Sequence, residues 1–93
     1  MNNYGYILRK LIKFTNLKLS TVAAAAGYDV SYISKWCNQS TLPAARVAPA
    51  INKKLSKIFA EEIVGQGEFD NFCVEFNADI SIDCLETYIY IQF

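Results

Sequence analysis

Apolar residues recur every three or four positions along most of this 93-residue chain, and that spacing commits it to helices. Tyr4, Ile7, Leu8, Leu11, Ile12 and Phe14 form one face of a first helix, with Arg9, Lys10 and Lys13 between them. Asn16 is a reasonable stop. Residues 17–26 predict a second, short helix with Val22, Ala23 and Ala26 facing inward. Its small side chains let another helix approach closely, and Gly27 suits a left-handed helix end. Asp29 is a good N-cap for a third helix over 30–38, with Ile33 and Trp36 or Cys37 inward and Ser31, Tyr32, Ser34 and Lys35 outward.

Residues 39–43 read as a polar loop closed by proline. A fourth helix is expected from near Ala48 to Val64, with Pro49 in its first turn. Ile51, Leu55, Ile58, Phe59 and Ile63 form its apolar face, and Lys53, Lys54 and Lys57 its polar one. Gly65-Gln66-Gly67 is the one linker candidate. Phe69, Phe72, Cys73 and Phe76 give the pattern of a fifth helix, and 77–81 reads as a turn. The last stretch, 82–93, has two readings. Leu85, Tyr88, Ile89 and Gln92 suit a helix opened by an Asp83–Glu86 capping box, whereas Tyr88-Ile89-Tyr90-Ile91 is β-prone. Helix is the favoured one.

Charge divides the chain in two. Residues 1–60 hold all nine Lys and Arg and one carboxylate, a balance of +8; residues 61–93 hold eight carboxylates and no cation, a balance of −8. A basic half of this kind calls for a polyanion, of which nucleic acid is the commonest; the plainer reading is an acidic tail balancing a basic body. The expected organisation is a domain over 1–64 and an acidic extension over 65–93, a candidate for dimerisation or the start of a further domain.

Several function classes lose their chemistry. The chain has no histidine, which removes the commonest general base and metal ligand. Its four glycines are scattered and form no phosphate loop. We therefore expect no enzyme, no catalytic residue, no metal, no cofactor and no small-molecule ligand. Cys37, Cys73 and Cys84 are an odd set without paired spacing, which fits reduced thiols in a cytoplasmic protein. No apolar run approaches the roughly 20 residues of a membrane span, and the N-terminal residues do not read as a secretory signal.

Two short helices joined by a tight glycine turn, the second rich in Ser, Tyr and Lys, describe a helix-turn-helix. Such a second helix must be polar on the side that enters a major groove and anchored by apolar residues on the other. The stretch from Val30 to Trp36 meets both demands.

At this point the chain resembles a known family. The Val22-Ala23 pair, Gly27, the Ile33-Ser34-Lys35-Trp36 stretch and Pro43 occur in the order and spacing of the phage repressor and Cro type of helix-turn-helix, the lambda repressor-like domain. The resemblance covers about residues 4–60. It implies an all-α, compact four- or five-helix helix-turn-helix bundle, here with a C-terminal helical extension, that binds double-stranded DNA. Where the family often has Glu-Asn-Gly after the recognition helix, this chain has Cys37-Asn38-Gln39. The Arg that commonly pairs with that Glu maps to Ile12, so a buried Ile12–Cys37 contact is expected. Gln39 would cost about 1 kcal/mol if its φ were positive.

The expected function is sequence-specific duplex binding by a transcriptional regulator. Ser31, Ser34 and Lys35 are the groove candidates; Val30 either meets a thymine methyl or fills space near the cap. Tyr32 either bonds a phosphate or packs against the neighbouring helix. Lys18, Asn38, Ser40 and Thr41 flank the two helices, where phosphates run. The alternative is a protein-interaction module on the same scaffold that does not bind DNA. A single module reads few base pairs, so a homodimer through 65–93 is expected. The uncapped apolar stretch 88–93 suggests a cut within a longer protein, or else an end buried at a subunit interface.

Overall fold

A computed structural model describes residues 3–93. It contains six α-helices and, among the described residues, no strand: α1 (Tyr4–Thr15), α2 (Leu19–Ala26), α3 (Val30–Cys37), α4 (Ala48–Gly65), α5 (Phe69–Glu75) and α6 (Leu85–Gln92), with a 3-10 turn (Ile82–Cys84) before the last. The fold is all-α. The radius of gyration is 12.4 Å, close to the roughly 12 Å of a compact body of this length.

The helices end where their chemistry requires. Asn16 closes α1 with φ +58°, its N–H on the Ile12 carbonyl. Gly27 closes α2 with φ +79°, and the Tyr28 N–H reaches back to the Ala23 carbonyl, completing a Schellman-type end. Asp29 opens α3, its carboxylate accepting from the Ser31 N–H at 2.9 Å. α2 is shorter than expected: Leu17 and Lys18 precede it, and Lys18 is its extended N-cap.

α4 is the central helix and touches α1, α2, α5 and α6. Its Ile51, Leu55, Phe59 and Ile63 pack with Leu8 and Leu11 of α1, Val22 of α2 and Ile33 and Trp36 of α3. Phe72, Leu85 and Ile89 are fully buried in the same cluster. These three, in the stretch expected to serve dimerisation, are thus covered by the chain's own core. Phe14 of α1 meets the Phe72 and Phe76 rings edge-on, at 5.8 Å each. Phe93 lies 5.1 Å from the Tyr4 ring, while Ile91 stays 70% exposed.

Three further expectations are corrected. Gly65-Gln66-Gly67 is a tight turn rather than a loose linker: the Gly67 N–H bonds the Val64 carbonyl and Gln66 Nε2 donates to the Thr15 carbonyl at 3.1 Å. The Asp83–Glu86 capping box does not form, because the 3-10 turn occupies Ile82–Cys84 and makes Cys84 the N-cap of α6, with no side-chain bond. Finally, Ile12 is not buried as expected, and α1 is bonded to Cys37 through Arg9, whose Nη1 donates to the Cys37 carbonyl at 2.9 Å. Leu8, Leu11 and Thr15 define the buried side of α1, and Ile12, one residue on from Leu11, is only half-buried.

Candidate nucleic-acid interface

α3 is held by its inner face. Ile33, Trp36 and Cys37 are buried against the core. Val30, Ser31, Tyr32, Lys35 and Asn38 are exposed, Val30 at 38% and Tyr32 at 46%. Ser34, expected to point outward, is half-buried. One α-helical turn separates Ser31 from Lys35, so the two share a face. Lys18 is exposed at the start of α2, and Ser40 and Thr41 are exposed just beyond α3. The Ser40 N–H and hydroxyl both donate to the Lys35 carbonyl, at 3.1 and 3.3 Å, tying this loop to the end of α3.

The Tyr32 ring packs on the α2–α3 turn and on its own helix. It lies 5.4 Å from Tyr28 and 6.2 Å from Trp36, and Tyr28 itself meets Trp36 at 5.3 Å. The Lys35 ammonium stands 5.8 Å from the Tyr32 ring centre, within cation–π range. An aromatic ladder therefore runs beside the exposed strip of α3 and steadies its only cation.

The surface carries charges of both signs. Two hydrogen bonds from Ser31, first from its backbone and then from its side chain, hold the Asp29 carboxyl below the ordinary carboxylate range, so it stays ionised as the cap. Lys18 and Lys35 are the cations among the candidates. The Lys54 ammonium lies 3.9 Å from the place a Gly27 Cβ would occupy, beside the α2–α3 turn. Sequence reasoning put Lys54 on a solvated face, since nothing in the spacing shows that this part of α4 crosses the turn.

Two residues outside the candidate list set the position of α3. Gln39 has φ +57° and its Oε1 accepts from the Gly5 N–H at 2.9 Å. Arg9 caps the other partner of this junction through the Cys37 carbonyl. Burial raises the Cys37 thiol pKa and the Arg9 charge partly offsets the rise. Burial likewise lifts the Tyr4 phenol, with the Cys37 charge adding to it; the Tyr4 hydroxyl donates to Asn52 Oδ1 at 2.8 Å.

No group of three or more His, Cys, Asp or Glu among the described residues is placed to hold a metal. Among the described residues no helix is long and apolar enough to cross a membrane. Comparison with family models, curated protein sequences and solved structures gives no match.

Proposed function

We propose that the chain binds double-stranded DNA as a transcriptional regulator, with α3 in the major groove. The observation that carries this reading is the two-sided character of α3. It is eight residues long, capped by Asp29 and preceded by the Gly27 turn, with an apolar face locked in the core. Its other side offers Val30, Ser31, Lys35 and Asn38 to solvent. Ser and Lys side chains at one-turn spacing suit base edges; Lys18, Ser40 and Thr41 suit the flanking phosphates. The resemblance to the phage repressor and Cro type of helix-turn-helix supports the same conclusion.

The functional unit in this reading is a homodimer with residues 65–93 contributing to the contact, since two recognition helices read two half-sites about 34 Å apart. A cytoplasmic location fits the three free cysteines.

A second reading has its own observation. Of the nine cations only Lys18 and Lys35 are among the candidate residues, with Lys54 beside the α2–α3 turn. A protein-interaction module using the remaining basic faces is consistent with that. An electrophoretic shift with random duplex at two salt concentrations separates the two. DNA binding gives a complex that weakens steeply as salt rises. A chain that leaves duplex unshifted even at low salt is the interaction module.

A further inference from the structure

A groove on the outer face of α1 contains none of the candidate DNA contacts. It is lined by Tyr6, Arg9, Lys10, Lys13, Phe14 and Glu75. Tyr6 is 53% exposed, and the Lys10 ammonium lies 4.4 Å from the centre of the Phe76 ring while donating to the Glu75 carbonyl at 3.2 Å. Three cations over an aromatic floor attract an acidic, partly apolar occupant. A continuous phosphate chain fits less well, because it offers the aromatic floor no apolar group.

The neighbouring element has the complementary character. On α5, Asp70, Asn71, Val74 and Glu75 are exposed, and these positions share one side of the helix. Val74 is 82% exposed, more than any other large apolar side chain described. A basic strip with an aromatic floor thus stands directly beside an acidic strip bearing a bare valine. Two adjacent strips of opposite sign make a self-complementary surface: a two-fold axis between them lays each strip on its opposite in the second molecule.

We infer that α1 and α5 form a two-fold interface with a second copy of this chain, in which Asp70 and Val74 of each copy meet the α1 groove of the other. Surface ion pairs alone contribute little. The apolar contact of Val74 with the Tyr6 and Phe14 rings supplies attraction that salt does not screen, and the charges fix orientation. The inference rests on the self-association in the proposed function and names its surface. It moves that surface from the tail alone to the tail together with α1.

The test is sedimentation of the full chain and of Lys13→Glu, Asp70→Lys and Val74→Ser, with circular dichroism confirming equal helix content. Val74 is so exposed that its replacement by Ser leaves the fold alone, which keeps the test open if a charge reversal disturbs α5. The expected result is a dimer for the native chain and association at least about tenfold weaker for each variant. An equimolar mixture of Lys13→Glu and Asp70→Lys regains the dimer, because one arm then pairs the two introduced charges and the other pairs the native ones. A native dimer indifferent to all three substitutions, or a mixture that stays apart, overturns the inference and moves the contact elsewhere, for example to Ile91 on α6, while self-association stands. A native chain that is monomeric throughout overturns the inference and the dimer together; the duplex shift then judges DNA binding independently.

Discussion

The Gly5 N–H donates to Gln39 Oε1 at 2.9 Å, joining the first turn of α1 to the residue that leaves α3. Gly5 is one of the orphan donors at a helix start, and Asn3, the local N-cap, makes no side-chain bond. A side chain 34 positions away does that work. Arg9, a turn further along α1, satisfies the Cys37 carbonyl at the end of α3. Each helix thus closes an open end of the other, and the candidate recognition helix is fixed through its C-terminus.

This junction leaves no room for a Cβ on Gly5. One built there would stand 2.6 Å from the Cys37 carbonyl oxygen and 2.7 Å from that of Trp36. Both are backbone atoms that cannot turn aside. Gly5→Ala should therefore destabilise the fold by about 1–3 kcal/mol, read as a lower denaturation midpoint. An unchanged midpoint would show that α1 and α3 separate freely.

Gln39 sets strain against a hydrogen bond. Its φ of +57° favours glycine, by about 1 kcal/mol, yet only a long polar side chain reaches the Gly5 N–H. Gln39→Ala keeps the strain and loses the bond, at a cost of about 1–2 kcal/mol. Gln39→Gly relieves the strain while losing the same bond, so it should be the milder change. Urea melts of the two variants check the order, and Gly proving worse than Ala would refute the account of this turn.

The tail belongs to the core by burial, and that too can be measured. Phe72, Leu85 and Ile89 are each exposed by 1% or less. Leu85→Ala should cost about 2–5 kcal/mol, and Phe72→Ala about 3–5. Against a total stability of about 5–15 kcal/mol, a chain cut after Val64 should lose cooperative unfolding. A cut chain that melts as sharply as the whole would show that α5 and α6 are dispensable.

Much of this fold was legible from spacing, and the failures have local causes. Ile33, Trp36 and Cys37 point inward as their spacing in 30–37 requires, and that placement alone exposes Ser31 and Lys35. Ser34 was misjudged because it sits beside Ile33 on the shoulder of the buried face. The apolar stripes of α5 and α6 were visible, but a stripe does not say whether its partner is the same chain or another, so Phe72, Leu85 and Ile89 could not be assigned to the core. The Arg9–Cys37 and Gly5–Gln39 bonds span 28 and 34 positions. They depend on how α1 is rotated against α3, which no local pattern encodes.

pH should act through Asp29. Its folded pKa is lowered by the bonds from Ser31, so the cap's contribution is present above the unfolded carboxylate pKa and is lost as pH falls through the folded value. Asp29→Ala should lower stability at neutral pH and flatten the acid limb of a stability-against-pH curve. Equal acid sensitivity in both proteins would rule out the cap as its source.

The thiols should separate in reactivity. Cys84 is exposed, Cys73 half-buried and Cys37 buried. Burial also raises the Cys37 pKa, so less of it is thiolate at a given pH. Alkylation followed by peptide mass mapping should label Cys84 first and Cys37 last, with Cys37 modified only as the fold opens. Early labelling of Cys37 would contradict the close packing of α1 on α3.

The claim that α3 reads DNA is tested most directly by selecting duplexes from a random pool with the native chain, then titrating the enriched duplex with native protein and with Lys35→Ala. Lys35 is exposed in the middle of the strip and steadied beside Tyr32. The account predicts enrichment of a two-part site with half-sites about one helical turn apart, a loss of about 1–3 kcal/mol in binding for Lys35→Ala, and a relaxed preference at the bases it touches. A pool that emerges unenriched, or a variant with the same affinity and the same preferred site, would contradict it.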